Sequence, residues 1–208
     1  MLHTDTHTYT GILSGQERRS VTTILAEEGY IEKRFYKEGF ADLGVNVHLL
    51  LHAFDKKLRV KAPEIYARYL PPYQRMLEHT GLQIIDSEVE VEEPILGFSG
   101  QLDKVGFLPG KGYGILDVKV SSCGYINWHE YQSEMYRQAL RWHPVYKTLD
   151  IQWKAGVIMT PECLIPKLIP HNRIPNIEKI CQAIAIINAD KHRHKIRMEQ
   201  INQEQGWW

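Results

Sequence analysis

The stretch that most constrains this chain is GFSGQLDKVGFLPGKGYGILDVKV, residues 97–120. It reads as two strands joined by a tight turn, with LPGKG (108–112) as a turn cluster centred on Gly110. A hairpin symmetric about Gly110 pairs residues equidistant from it, and Asp103 and Asp117 are equidistant. Directly opposed side chains have Cβ atoms roughly 4.5–5.5 Å apart. Lys119 lies two residues beyond Asp117 and projects from the same face. A one-residue bulge shifts the pairing but keeps the neighbourhood.

Two carboxylates at ~5 Å repel by about 3 kcal/mol at an effective dielectric near 20. Something must offset that repulsion: a shared proton, a basic neighbour or a metal ion. Mg²⁺ suits such a pair, because it takes one or two carboxylates together with waters and substrate phosphate. The backbone carbonyl of Val118 stands between Asp117 and Lys119 as a further ligand. The residues leave a second reading open, a surface Asp–Lys cluster in which strand twist carries the aspartates apart.

The chain around the hairpin alternates helix and strand patterns. Residues 5–13 alternate loosely and meet Gly11 and Gly15, as a short edge strand or hairpin does. Ser20 is placed to cap a helix over VTTILAEEGY, with Gly29 closing it. FADLGVNVHLLLHAFDKKL (40–58) carries Leu43, Val47, Leu50, Leu51 and Phe54 at helical spacing. His48 and His52 share one face of that helix, but Leu49 stands where a zinc-protease motif needs glutamate. A helix follows Pro63, and Pro71–Pro72 split or kink it. Period-two alternation predicts a strand over about 82–93, with Glu88, Glu90, Glu92 and Glu93 mostly facing solvent. After the hairpin come an amphipathic helix (128–143), strands at 151–160 and 163–171, and a long closing helix (176–205).

This order implies an α/β domain with a mixed central sheet flanked by helices. The 208 residues suit a single domain: a helical N-terminal part (about 20–80), a sheet and helix (about 82–170) and the C-terminal helix. A 43% hydrophobic content is sufficient for a core. No window reaches the ~18 apolar residues that span a bilayer, and the first residues lack a secretory signal pattern. Cys123, Cys163 and Cys181 are odd in number and scattered, which predicts reduced thiols and a cytoplasmic location. Lys plus Arg and Asp plus Glu balance at 25 each, which counts mildly against a nucleic-acid binder; the basic clusters KRFYK (33–37), KKLRVK (56–61) and KHRHKIR (191–197), each taken alone, read as solvated helix faces.

SGQLD followed by ILDVK resembles the signature of the PD-(D/E)XK nuclease superfamily. GVNVH is similar to the helix motif of its RecB-like exonuclease branch, which includes phage and repair nucleases, and singles out His48 over His52. YQSEMY resembles the QxxxY motif of that branch, giving Gln132 and Tyr136, and RRSVTTIL resembles its opening segment. The resemblance implies a restriction-endonuclease-like core and Mg²⁺-dependent hydrolysis of DNA, most readily as an exonuclease in recombination, repair or phage DNA metabolism. A structure-selective or single-strand endonuclease and a non-catalytic nucleic-acid-binding protein are the alternatives. It implies that Asp103, Asp117 and the Val118 carbonyl bind Mg²⁺, or Mn²⁺ in its place, with His48 and Glu88 as further ligands. Lys119 would orient or activate the attacking water. Gln132 and Tyr136 would position that lysine or the DNA strand, with Tyr125, Trp128 and Tyr136 as stacking aromatics. DNA is the implied partner, with a recombination or single-strand-binding protein beside it. The cysteine pattern argues against the iron–sulfur cluster that some members carry.

Overall fold

The hairpin forms as its turn residues dictate. In the computed structural model, β5 (Phe98–Leu108) and β6 (Gly112–Val120) run antiparallel. Gly110 takes φ +78° and Gly112 φ +82°, a left-handed backbone open to glycine without a Cβ clash. The register is centred on Gly110, from Leu108↔Gly112 to Lys104↔Leu116. There the described ladder between the two strands ends, one position short of Asp103 and Asp117.

The structure describes residues 2–3, 8–31, 40–120, 128–174, 177, 179 and 181. Met1–Pro175 is one compact unit and Asn176–Trp208 a second. The expected closing helix, the clusters at 33–37 and 191–197, Cys123 and Tyr125 fall wholly or largely outside the described residues.

The sheet is built around β5. One edge of β5 pairs along its length with β4 (Gln83–Glu93), antiparallel. The other edge is shared. Its C-terminal half pairs with β6, while Phe98 and Ser99 pair in parallel with β3 (Glu17–Ser20). β3 continues antiparallel to β2 (Thr8–Thr10) and β1 (Leu2–His3). β6 continues in parallel to β7 (Ile151–Met159), and β7 antiparallel to β8 (Leu168–Pro170). The result is an open, mixed sheet of eight described strands, α/β in class and compatible with a restriction-endonuclease-like core. Between Ser99 and Lys104, no strand pairing is described on the shared edge of β5.

Helices cover both faces. Ser20 Oγ accepts the Thr23 N–H at 2.9 Å and caps α1 (Val21–Glu27). α2 (Phe40–Asp55) follows, then α3 (Glu64–Ala67) and α4 (Leu70–Thr80). Pro71 and Pro72 fall in the first turn of α4, where a missing N–H breaks no helical bond, so they start a helix and separate it from α3. Gly81, at φ +68°, ends α4. On this side Val47 and Leu51 of α2 and Tyr73 and Met76 of α4 bury against Leu116, Val118, Val157 and Met159. Each such side chain contributes roughly 1.5–3 kcal/mol. α5 (Trp128–Leu140) packs against β4, β5, β6, β7 and α1. No helix among the described residues is long and apolar enough to cross a membrane.

Two acids of β4 depart from the expected exposure. Glu92 and Glu93 are buried: the loop after β2 folds onto Glu92, and Glu93 Oε2 accepts the Leu96 N–H. The Glu92 carboxylate accepts the Leu13 N–H (2.7 Å), the Ser14 hydroxyl (2.6 Å) and Arg18 Nε (3.2 Å). Burial raises the Glu92 pKa, but these partners outweigh it and hold the group below the usual carboxylate range. The β2–β3 hairpin is thereby pinned beside β5.

Trp153 locks the far end of the hairpin. Its indole N–H donates to the Gly112 carbonyl at 2.8 Å, and a Cβ on Gly114 would lie 2.0 Å from its ring. Gly114→Ala is expected to destabilise the fold by about 1–3 kcal/mol. Thermal unfolding checks this; an unchanged Tm contradicts it.

Candidate active site

Asp103 sits where the shared edge of β5 lacks a ladder partner. Its Oδ2 accepts the Val118 N–H at 2.7 Å, buried. A side chain thus takes the place of the next backbone rung. The two aspartates therefore do not close the ladder as a direct pair; the Asp103 carboxylate is turned into the plane of the sheet. In an extended strand a residue's N–H and C=O point to the same side. The Val118 carbonyl therefore faces this gap as well.

Asp103 Oδ1 points to the α2 side, 3.7 Å from His48 Nδ1. Glu88 Oε1 lies 3.4 Å from the same nitrogen. One ligand atom from each of His48, Glu88 and Asp103 lies within 4.8 Å of the others. Burial disfavours a charged His48, yet the Asp103 charge and the Glu88 hydrogen bond outweigh it and raise its pKa. His52 goes elsewhere: its Nδ1 is 2.6 Å from Ser87 Oγ.

Glu88 reaches this cluster through an unusual backbone. It takes φ +55° inside β4, between the pairs Ser87↔Lys104 and Val89↔Leu102. A regular strand sends neighbours to opposite faces. Here the consecutive residues Ser87 and Glu88 both meet α2, at His52 and His48. The left-handed conformation costs a non-glycine residue roughly 1–2 kcal/mol. The period-two pattern of the sequence gives no sign of it.

Asp117 and Lys119 project toward α5. Lys119 Nζ donates to Asp117 Oδ1 (2.8 Å) and to Gln132 Oε1 (2.9 Å). The Gln132 amide donates to the Tyr136 hydroxyl at 3.2 Å. Asp117, Lys119, Gln132 and Tyr136 thus form one chain of hydrogen bonds. The Tyr136 ring lies on Gly100, where a Cβ would come within 2.7 Å of it. Burial, then Asp103, Tyr9 and Asp117, push the Tyr136 hydroxyl well above its ordinary pKa, so it remains a neutral donor. Tyr136 is 4% exposed, its ring packed on Gly100 rather than facing solvent. The ring of Trp128 carries Lys119 Nζ 5.3 Å from its centroid.

Sequence reasoning missed two neighbours. Tyr9 has its hydroxyl pushed up to about 12 by burial and by Glu90, Glu88 and Asp103. It arrives on β2, far from these acids in sequence, and no motif marks it. His129, next to Trp128 on α5, is buried near Lys119 and Asp117. Of the basic clusters, only 56–61 is described; it is exposed, and Lys56 is engaged with Asp86 at 2.5 Å.

The residues fit a divalent cation. Asp117 is 1% exposed, and its Oδ2 is buried with no hydrogen-bond partner. An unpartnered carboxylate oxygen in such a place loses several kcal/mol unless a cation or donor meets it. Asp103, Glu88 and His48 bring two carboxylates and an imidazole within 4.8 Å of one another, a group that could hold a metal ion. Compared with protein-family models and with curated proteins, the chain matches none.

Two outcomes follow from the geometry. Glu88→Gly is expected to be more stable than Glu88→Ala by about 1 kcal/mol, reversing the usual order in a strand. Urea unfolding of the two variants checks it. Burial, then Lys119, lower the His129 pKa from 6.5 to about 4, against the pull of Asp117. The unfolded chain takes up this proton near 6.5, so the contribution of His129 is complete above that pH and lost as pH falls toward 4. The loss is on the order of 3 kcal/mol. Melting curves across pH 7 to 4 are expected to fall more steeply for wild type than for His129→Phe; equal slopes contradict the assignment.

Proposed function

We propose that this protein is a metal-dependent deoxyribonuclease of the PD-(D/E)XK type, hydrolysing phosphodiester bonds as an exonuclease in DNA recombination or repair. The observation that carries the reading is Asp117. One of its oxygens holds Lys119, and the other is buried without a hydrogen-bond partner; across the hairpin, Asp103 belongs to the His48–Glu88–Asp103 group.

Asp103, Asp117, the Val118 carbonyl, His48 and Glu88 are the residues that would hold Mg²⁺ or Mn²⁺. When bound, such an ion supplies Lewis-acid charge at a phosphate oxygen and acidifies water. Lys119 contributes a fixed positive charge where negative charge develops in the transition state. Gln132 accepts a second hydrogen bond from that ammonium, and Tyr136 accepts one from Gln132. Preorganisation of this kind spares the reaction from having to orient the charge. DNA is the proposed substrate and the cytoplasm the proposed compartment. Affinity would come mainly from phosphate contacts and so fall with salt.

Purified protein with end-labelled single- and double-stranded DNA tests this. Cleavage is expected with Mg²⁺ and Mn²⁺ and none with chelator. Asp117→Ala and Lys119→Ala are each expected to slow it by about 10²-fold or more. Mononucleotide release identifies exonuclease action, and internal fragments identify an endonuclease. Activity equal in chelator, or undiminished in both variants, overturns the mechanism. DNA binding without cleavage in any metal supports a non-catalytic binder instead.

A further inference from the structure

Beyond the site itself lies a buried ion pair that the chemistry does not use. We propose that Asp55 and Lys104 form a positioning pair that sets the register of α2 on the sheet. In doing so the pair holds His48 against Asp103 and tunes divalent-cation affinity; this rests on the metal-site reading above.

Three polar residues of α2, His48, His52 and Asp55, follow one another at helical spacing and form one stripe. Each meets its own strand residue. His48 meets Glu88 and Asp103 at 3.4 and 3.7 Å. His52 meets Ser87 at 2.6 Å. Asp55 Oδ2 meets Lys104 Nζ at 2.7 Å. Ser87 and Lys104 are the direct sequence neighbours of Glu88 and Asp103, and they pair with each other across β4 and β5. The three contacts therefore fix the same helix against the same two strands, with the cation cluster at one end.

The pair at the other end is deeply buried. The Lys104 side chain is 0% exposed and that of Asp55 3%. The Tyr73 hydroxyl donates to Asp55 Oδ1 at 3.0 Å. Burial raises the Asp55 pKa by more than Lys104 and Tyr73 lower it, so desolvation outweighs the attraction. A pair of this kind contributes little net stability compared with apolar residues of the same size. What it supplies is a single register. Apolar residues such as Val47 and Leu51 tolerate small shifts, whereas a close charge contact with a third partner does not. A slip of one residue along α2 moves its side chains by ~1.5 Å and ~100° and takes His48 out of reach of Asp103.

The test is Mn²⁺ binding by calorimetry without DNA, with thermal unfolding alongside. The variant Asp55→Leu/Tyr73→Phe/Lys104→Met removes the pair and the hydroxyl that depends on it, leaving no orphaned polar group. It is expected to keep a Tm near wild type and to bind Mn²⁺ about 10- to 100-fold more weakly. Affinity within about twofold of wild type overturns the proposal, because a merely structural pair would not move it in a folded variant. Should the triple variant fail to fold, Asp55→Asn carries the test: about fivefold weaker binding is expected, and unchanged binding overturns the proposal. A wild-type protein that takes up no Mn²⁺ overturns the metal-site reading and this one together. Binding in wild type that Asp103→Ala abolishes, but the pair variants retain, overturns only this one.

Discussion

The buried hydrogen bond from the Val118 N–H to Asp103 Oδ2 is the contact on which the rest of the arrangement depends. A buried backbone N–H must be paired, or it costs about 1–3 kcal/mol. Beyond Lys104↔Leu116 no strand residue does this for Val118. Asp103 does, and the chain can then let β5 leave β6 and take up β3 without an orphaned donor between them. The same carboxylate keeps its second oxygen for His48. The break in the sheet and the origin of the site are one event. Removing Asp103 therefore strikes the fold, whereas no hydrogen bond is described for Asp117 Oδ2.

Much of this was legible because it is local. The turn chemistry around Gly110 fixes a register, and that register alone brings Asp103 and Asp117 to neighbouring positions. The helix containing Gln132 and Tyr136 is strongly amphipathic, and their spacing puts both on one face. What was not legible is long-range. Glu92 is buried by a loop more than seventy residues upstream, so alternation along β4 misstates its exposure. Tyr9 reaches the acids from β2 by the same route. Charged residues in a strand read as solvent-facing unless their partners are known, and these partners come from another hairpin.

Glu88 shows a different kind of limit. Periodicity assumes that every residue of a strand has strand dihedrals. One residue at φ +55° breaks the alternation, and two consecutive side chains then serve the same helix. Local strain of this kind persists only where surrounding contacts over-determine it. Here the pairs on either side, Ser87↔Lys104 and Val89↔Leu102, do so. The strain belongs to the same device as the α2 stripe: it gives His48 an acid to meet, while His52 and Asp55 fix the helix that carries it.

Formal charge joins these elements. Asp103 and Glu88 meet His48, and Asp117 meets Lys119. A histidine ligand must be neutral to bind a metal. With His48 neutral, three carboxylates stand against one ammonium, a surplus of two negative charges in a partly desolvated place. Without a cation, a proton on His48 relieves part of that surplus, and this is the direction in which its pKa is driven. Tyr9 and Tyr136 add hydroxyl donors while remaining uncharged, since burial first and then Asp103, with other nearby groups, push both pKa values up. On the proposed reading, a divalent ion held by these residues would offset that surplus without a proton on His48. Burial alone would keep His48 neutral; the Asp103 charge and the Glu88 hydrogen bond overcome it, so the direction of this shift reports the acids to which α2 brings the imidazole.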